Sequence, residues 1–231
     1  MAYHESTAWQ RYLRLMKERP QAFTHSDILE IVTDEETVDR FAEETGRPLG
    51  VVYESPYHLM VVDLVRSGGA KREEGWNAGL HTYDRLLPAV ALGAVVSVPV
   101  YDGKFVLLKQ FRHSLRRDII AFPRGFGEPG ISPEENLRKE LREEIGVKTV
   151  TDVRHLGAVA ADTGAIGGQA DVYSCQVGTP ELKKGYEEIK ELILLDDREM
   201  NEWILTGRME DGFTLAALAL YRSSRRDSEK Q

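Results

Sequence analysis

The spacing of hydrophobic residues predicts two helices near the start of the chain. Between residues 5 and 18, hydrophobic side chains recur every three or four positions, as on one face of an amphipathic helix: Trp9, Tyr12, Leu13 and Met16. A second helix is predicted from Asp34 to Thr45. Thr33 and Glu36 have the spacing of a capping box at its start, and Gly46 supplies a C-terminal stop.

Strand-like stretches follow these helices. Residues 51–69 are rich in β-branched side chains and are interrupted at Pro56, which predicts two strands. The polar, glycine-containing segment 68–80 is predicted to be a loop. Further along, two hydrophobic runs flank Asp102 and Gly103, a pair that favours the tip of a hairpin. More strands are expected on both sides of a central helix, and two helices are expected to close the chain.

The central helix is predicted within "RGFGEPGISPEENLRKELREEIGV", residues 124–147, where a glycine-rich loop comes directly before it. Ser132, Pro133 and Glu135 have the N-cap, first-turn and capping-box positions of a helix start. Gly146 would end the helix in the left-handed conformation. The hydrophobic stripe of this helix is expected to face the core and consists of Leu137, Leu141 and Ile145.

Three carboxylates lie beside that stripe. Glu140, Glu143 and Glu144 share an arc of the helix, where like charges at these spacings repel one another. One interpretation is a solvated acidic face, in which the neighbouring Arg and Lys residues reduce the repulsion between the carboxylates. The other is a cation site, because carboxylates partly shielded from water need a cation. Their hard oxygens suit Mg²⁺ or Mn²⁺, which also share the phosphate oxygens of a substrate.

Composition and charge narrow the classes of function. With 231 residues, of which 42% are hydrophobic, the chain can bury a core. The formal net charge of −8 argues against a nucleic-acid binder, but not against a small anionic substrate held through a metal ion. The single Cys175 excludes an intramolecular disulfide framework and a thiolate-rich zinc site. No hydrophobic run suits a signal peptide or a membrane span, so a soluble, cytoplasmic protein is expected.

The loop and helix resemble the Nudix hydrolase family, whose signature is G-x5-E-x7-R-E-U-x-E-E-x-G-U, with U an aliphatic residue. Gly125 opens the pattern in this chain, and "KELREEIGV", residues 139–147, closes it. Two positions depart from the signature. Ile131 stands where the family has glutamate, and Lys139 stands where it has arginine.

The resemblance implies an α/β fold, the Nudix-type α/β/α sandwich with a mixed sheet, over residues 89–225. Residues 1–88 would form an N-terminal extension of helices and strands, which is a candidate dimerisation element. Residues 226–231 are expected to be a frayed tail. Because members of the ADP-ribose branch of the family often pair, a homodimer is expected.

The resemblance also implies an activity, the metal-dependent hydrolysis of the pyrophosphate linkage of a nucleoside diphosphate derivative. Glu143 and Glu144 would be the principal ligands of Mg²⁺ or Mn²⁺, with Glu140 as a further ligand. The bound cation would lower the pKa of an attacking water.

Residues outside the carboxylate helix complete the expected site. Glu187 or Glu188 would bind metal or act as general base, unless each is an exposed glutamate at a strand end. Arg112 is a candidate to bind a substrate phosphate through its planar guanidinium, and a surface strand arginine is the alternative. Arg124 and Gly125 complete the set of residues expected to contact substrate.

The two departures leave three interpretations open. Ile131 and Lys139 cannot form a bidentate pair, so the loop could be repacked with hydrophobic contact replacing an ion pair. Alternatively the site is loosened and turnover is slow, or catalysis is lost and the fold binds and senses a nucleotide. Because all three helix carboxylates remain, retained activity is the favoured prediction. Glu128, also in the loop, is a candidate to supply the lost charge.

Segments outside the signature resemble the ADP-ribose pyrophosphatase branch, and ADP-ribose is therefore the first substrate candidate. That branch has a proline-glycine turn about fifteen residues beyond the signature, whereas this chain has "DTGAIGG", residues 162–168. Nucleotide sugars consequently remain open. Isolated aromatic and imidazole side chains are expected to be structural rather than ligand-binding: Trp9, Trp76, Trp203, His81 and His113.

Overall fold

The computed structural model describes residues 2–68, 75–89, 93–183 and 185–228, with side chains described up to residue 226. Its helices are α1 (Thr7–Glu18), α2 (Glu35–Thr45), α3 (Pro133–Glu144), α4 (Asp197–Leu205) and α5 (Gly212–Ser228). Its first strands are β1 (Leu29–Ile31), β2 (Gly50–Glu54), β3 (His58–Ser67) and β4 (Leu80–Pro88). The later strands are β5 (Ala94–Tyr101), β6 (Lys104–Arg112), β7 (Arg117–Ala121), β8 (Arg124–Phe126), β9 (Val150–Ala160), β10 (Gln169–Val177) and β11 (Ile189–Leu195).

The chain divides into two compact units. One contains residues 1–91 together with 162–168, and the other contains residues 92–161 and 169–231. Residues 69–74, which belong to the segment predicted as a polar loop, lie outside the described residues. The segment predicted as a frayed tail is helical at its start, because α5 continues to Ser228, and residues 229–231 lie outside the described part.

The first unit is an antiparallel sheet covered by helices. Strands β1 and β2 both pair with β3, and β4 pairs with β3 along its length. Helix α1 buries Trp9, Tyr12 and Leu15 in the hydrophobic core of this unit, which confirms the predicted amphipathic helix and the core role of Trp9. The buried Asp63 carboxylate accepts hydrogen bonds from Tyr12 and Arg85, so this core includes a paired charge.

The start of α2 differs from the prediction by one residue. Asp34 rather than Thr33 is the N-cap, and its carboxylate accepts a hydrogen bond from the backbone N–H of Thr37. Thr and Asp are both suited to cap a helix, so the capping-box spacing alone did not choose between these neighbours. The C-terminal stop is confirmed, since Gly46 has a φ of 66°.

The glycine-rich segment 162–168 belongs to the first unit although it connects two strands of the second. Backbone hydrogen bonds join Leu86 N–H to Ala165 O and Gly167 N–H to Leu86 O. The Tyr83 hydroxyl also donates to Gly164 O at 2.7 Å. This segment is therefore tied to β4.

The second unit is the predicted α/β/α sandwich with a mixed sheet. The strand order is β11-β6-β5-β10-β9, and β5 and β10 are parallel while the other pairs are antiparallel. Alternate residues of β6 enter opposite cores: Leu107 packs with residues of α4 and α5, whereas Val106 and Leu108 pack with α3. Helices consequently cover both faces of this sheet.

The sheet opens beside α3. Strands β5 and β6 pair through two residue pairs next to the hairpin, of which Tyr101 and Lys104 are closest to the tip. Beyond that point β8 pairs with β5 and β7 pairs with β6. The glycine-rich loop thus leaves the sheet from β8 and leads directly into α3. Within the part of the chain that the structure describes, no helix has the length and hydrophobicity to cross a membrane.

Candidate active site

Helix α3 is built as its sequence predicts. Ser132 caps the first turn, and the Glu135 side chain accepts hydrogen bonds from Ser132, which completes a capping box. The stripe of Leu137, Leu141 and Ile145 is buried in the core under this helix. Gly146 follows with a φ of 68°, a conformation that glycine adopts without strain. The carboxylates beside the stripe are therefore held on a rigid element.

Glu144 is the most buried of the three carboxylates, with 1% of its surface exposed. Its Oε2 atom accepts a hydrogen bond of 3.0 Å from the backbone N–H of Arg124. Burial, followed by repulsion from Glu140 and Glu187, raises the pKa of Glu144 to about 8. The attraction of nearby Arg112 does not offset these effects. A full negative charge at this position therefore requires a further cation.

Glu140 lies against the glycine-rich loop and is 8% exposed. A Cβ atom added to Gly125 would overlap the Glu140 carboxylate and would lie 2.6 Å from its Cγ. The loop backbone thus passes directly over this side chain, and a side chain at position 125 would displace the Glu140 carboxylate. Burial raises the pKa of Glu140 to about 7, and the charges of Glu143 and Glu187 act in the same direction.

Glu143 is the most accessible of the three. Its Oε2 atom accepts a hydrogen bond from the Tyr186 hydroxyl at 3.0 Å and lies 3.5 Å from the ammonium group of Lys139. Among the described residues, no three acidic, His or Cys side chains are close enough together to form a preassembled metal site. The helix presents its carboxylates side by side, with Glu143 directed toward Tyr186 and Lys139.

Two arginines lie next to these carboxylates. Arg124 donates from its Nη1 atom to both carboxylate oxygens of Asp211, at 2.9 and 3.2 Å. Arg112 is partly buried, and burial followed by repulsion from Arg124 lowers its pKa. Its Nε atom is buried without a hydrogen-bond partner in the described part of the protein. These guanidinium groups are suited to bind the oxygens of a phosphate.

Glu187 and Glu188, the two acids expected outside the helix, differ in how strongly their charges act on the carboxylates of α3. The Glu187 charge is one of those that act most strongly on Glu140 and Glu144, whereas the Glu188 charge is not. Both residues are exposed and have positive φ angles, 43° and 58°. Glu187 is consequently the better placed of the two to act with the helix carboxylates.

Lys139 and Ile131, the two departures from the signature, have different surroundings in the structure. Lys139 forms an ion pair with Glu128, which ties the loop to the helix three residues before position 131. Ile131 is partly exposed and borders a shallow cavity that Ala94 and Val95 also line. An ion pair between loop and helix therefore exists, although Ile131 takes no part in it.

The donor set fits a hard divalent cation. Carboxylate oxygens are the preferred ligands of Mg²⁺ and Mn²⁺. Glu140 and Glu144 are buried acids with raised pKa values, so a cation would stabilise their charged forms. The loop backbone at Gly125 also passes close to the Glu140 carboxylate.

This electrostatic arrangement predicts how stability depends on pH. The folded protein keeps protons on Glu144 and Glu140 above 4.5, where the unfolded chain has lost them. The metal-free protein should consequently lose stability as pH rises from about 5 to 8, by up to about 1.4 kcal/mol per pH unit for each group. Urea unfolding in EDTA at three pH values measures this slope, and Glu144→Gln should flatten it. An equal slope in the variant would contradict the assignment.

Three residues of the site were missed from the sequence. Tyr186 contacts Glu143, Gln110 contacts Glu187, and Asp211 contacts Arg124. Asp211 lies three residues before Thr214, which is the spacing of an N-cap, and its carboxylate accepts a hydrogen bond from the Thr214 backbone N–H. The sequence therefore indicates the capping role of Asp211 but not its contact with Arg124. Among the isolated residues, Trp76 and Trp203 pack against hydrophobic cores, as predicted.

The NUDIX domain family model matches residues 91–204. Over 55 residues the chain is 46% identical to the ADP-ribose pyrophosphatase of Bacillus subtilis (strain 168), covering 23% of this chain and 30% of that protein. Over 85 residues it is 31% identical to the ADP compounds hydrolase NudE of Escherichia coli (strain K12), covering 37% of this chain and 40% of that protein. The matched segments thus span less than half the length of these relatives.

A similar solved structure is the crystal structure of ADP compounds hydrolase. It superposes with a TM-score of 0.65 at 18% sequence identity, and the match covers 78% of this chain and 93% of that one. At this identity the likeness shows the fold alone.

Proposed function

This chain belongs to the Nudix hydrolase family through its NUDIX domain, and from that premise we propose that it hydrolyses the pyrophosphate linkage of a nucleoside diphosphate derivative. Glu140 and Glu144 carry the proposal, because they are buried acids with raised pKa values beside two arginines. Such a pair of acids is costly for stability unless it binds a cation. A cation together with guanidinium groups is the arrangement that a diphosphate requires.

Each residue has a role in the proposed reaction. Glu144, Glu143 and Glu140 would hold Mg²⁺, with Mn²⁺ as the alternative. The bound cation would neutralise part of the charge of the diphosphate and lower the pKa of a water molecule. Arg112 binds phosphate oxygens through its guanidinium, and Glu187 accepts the proton of the attacking water.

ADP-ribose is the proposed substrate, and nucleotide sugars are second. Two relatives bear the names ADP-ribose pyrophosphatase and ADP compounds hydrolase, which supports an ADP derivative. The segment 162–168 replaces the proline-glycine turn of the ADP-ribose branch and is tied to β4, so the recognition of the ribose end has to be tested directly.

The direct test is hydrolysis by the purified full chain. The protein is incubated with Mg²⁺ and ADP-ribose, and AMP and ribose 5-phosphate are measured. A panel of nucleotide sugars and other nucleoside diphosphate derivatives is assayed in parallel, with Mn²⁺ and with EDTA. Formation of AMP that EDTA abolishes would support the proposal. Binding without turnover across the panel would contradict it and favour the second candidate.

The second candidate is a catalytically silent module that binds and senses such a nucleotide. It is favoured by Ile131, which places a hydrophobic side chain where the family has an acid. The ion pair between Lys139 and Glu128 favours the enzyme instead, because it keeps the loop fixed to the helix that carries the carboxylates.

Removing that ion pair tests how the loop is held. Glu128→Gln should lower kcat by about tenfold, because Lys139 loses its loop partner and the loop over Glu140 is less well positioned. Steady-state hydrolysis of the best substrate of the panel measures this effect. The matched control is Glu134→Gln, which removes an exposed ion pair with Arg138 on the same helix.

The control variant should keep the wild-type kcat within about twofold, because the pair of Glu134 with Arg138 lies within α3 and does not join the loop to the helix. Adding Ile131→Glu to Glu128→Gln should restore part of the rate, because the new acid would offer Lys139 a partner in the same loop. If Glu128→Gln and Glu134→Gln have the same effect, the ion pair does not position the site.

The proposed assembly is a homodimer, and the proposed location is the cytoplasm. The homodimer follows from the resemblance to the ADP-ribose branch, in which members often pair. Light scattering of the full chain at micromolar concentration tests it, and the mass of a monomer would overturn it.

A further inference from the structure

The segment from Tyr186 to Glu188 is a turn with an unusual backbone. Glu187 and Glu188 have φ angles of 43° and 58°, so two consecutive residues other than glycine lie in the left-handed region. This conformation costs free energy for residues with a Cβ and persists where the surroundings hold it in place. The turn is closed by a hydrogen bond of 3.0 Å from Ile189 N–H to Tyr186 O.

The turn is held by the end of β6. The Gln110 side chain is 4% exposed, and its Nε2 atom donates a hydrogen bond of 2.6 Å to the backbone carbonyl of Glu187. The backbone N–H of Phe111 donates to the carbonyl of Glu188 at 3.3 Å. The pairing of β11 with β6 shifts register just after Ile189, so the regular ladder does not extend into the turn. Gln110 therefore adds a side-chain contact to the backbone hydrogen bond that joins β6 to the turn.

Burial of the Gln110 amide lowers the stability of the fold, so packing alone does not explain a glutamine at this position. Its Oε1 atom is buried and has no hydrogen-bond partner within the described ranges. A hydrophobic residue of similar size would avoid that cost. The neighbouring residue on the same face of β6, Leu108, is hydrophobic and packs against the core under α3. The amide is thus explained by the carbonyl of Glu187 that it binds.

The turn carries two groups to the helix carboxylates. The Tyr186 hydroxyl donates to Glu143 Oε2 at 3.0 Å. Glu187 is the next residue after Tyr186, and its charge raises the pKa values of Glu140 and Glu144. Because both groups come from consecutive residues, one conformation of the turn positions both.

We propose that Gln110 is a positioning residue, which holds the strained turn so that Tyr186 and Glu187 face the carboxylates of α3. Glu187 acts on the reacting water, and Gln110 acts through Glu187 without contacting substrate. This role rests on the proposed hydrolase function, whereas the hold on the turn does not. The two parts can therefore be tested separately.

The experiment combines Gln110→Leu with Glu187→Gln in a double-mutant cycle. Gln110→Leu alone should lower kcat by about tenfold or more, because the base moves away from its working position. In the Glu187→Gln background the same change should alter kcat by less than about twofold. Gln110→Asn, which keeps the amide on a shorter side chain, should recover part of the loss. Tyr186→Phe keeps the ring and should lower kcat less than Glu187→Gln does.

Hydrogen exchange gives a readout that does not depend on activity. In Gln110→Leu, the peptide covering residues 185–191 should exchange faster than in the wild type, while a peptide from α1 should be unchanged. Equal losses of kcat in both backgrounds, or unchanged exchange in the segment, would overturn the proposal. If the wild-type chain hydrolyses nothing in the substrate panel, the proposed function fails, and the exchange result alone then decides whether Gln110 holds the turn.

Discussion

Glu144→Gln is expected to lower the rate of hydrolysis by a factor of about 100 to 1,000 while the chain stays folded. The change removes a ligand charge from the cation that the site requires, and such a charge contributes several kcal/mol to stabilising the transition state. Glutamine has nearly the same volume as glutamate. It also keeps a side-chain oxygen that can accept the hydrogen bond from the backbone N–H of Arg124.

The stability of this variant separates a loss of chemistry from a loss of structure. Glu144 is 1% exposed, and its pKa is raised to about 8, so its charged form is unfavourable in the metal-free protein. A neutral glutamine avoids that cost, and at pH 8 the free energy of unfolding in EDTA should equal or exceed the wild-type value. Thermal unfolding with and without Mg²⁺ measures this. The wild type should gain stability from the metal, and the variant should gain much less.

Glu134→Gln is the matched control, because Glu134 is an exposed acid on the same helix whose partner is Arg138. It should leave both the rate and the metal-dependent stabilisation close to the wild type. A folded Glu144→Gln variant that hydrolyses substrate at the wild-type rate would show that the reaction does not depend on these carboxylates.

Local patterns predicted the parts of the site that are local in sequence. The capping box at Ser132, the buried stripe of α3 and the stop at Gly146 all depend on contacts within a few residues. A periodic pattern with a cap at each end fixes such an element because the helix brings the same residues together in any fold. The three carboxylates could therefore be placed side by side from their spacing alone.

Contacts between distant residues could not be predicted in the same way. Tyr186 lies 43 positions from Glu143, and Arg124 lies 87 positions from Asp211. Such pairs depend on strand order and register, and a shift of one residue in the register would turn a side chain to the other face of the sheet. The resemblance named Glu187 and Glu188 together, and the effect of the Glu187 charge on Glu140 and Glu144 is what distinguishes them.

The assignment of segment 162–168 to the first unit was also beyond the sequence. Its sequence shows only that it is rich in glycine, yet the segment makes backbone hydrogen bonds with Leu86. Backbone hydrogen bonds can form with almost any side chain present, so they leave little trace in the sequence. The boundary between the two units consequently cannot be drawn as a single position along the chain.

Gly125→Ala is expected to lower hydrolysis by about a hundredfold, because the added methyl group competes with Glu140 for the same space. The Cβ would overlap the Glu140 carboxylate, and Gly125 is fixed in β8 by its pairing with Val95. The glutamate side chain therefore has to turn away from the site. Forcing a group into a packed region should also cost about 1–3 kcal/mol of stability. Steady-state kinetics and urea unfolding measure the two effects.

Two further variants show whether the overlap with Glu140 is what lowers the rate and the stability of Gly125→Ala. Gly178→Ala makes the same chemical change at a glycine whose added Cβ would meet Thr149 at ordinary contact distances, the nearest atom at 3.5 Å, so it should leave the rate unchanged. Glu140→Asp shortens the acid by one methylene, and combined with Gly125→Ala it should recover part of the lost stability. Because the methyl group and the longer side chain compete for one space, the two substitutions should be non-additive. If Gly125→Ala keeps the wild-type rate, or if the substitutions are additive, the loop does not fix Glu140 at the cation site.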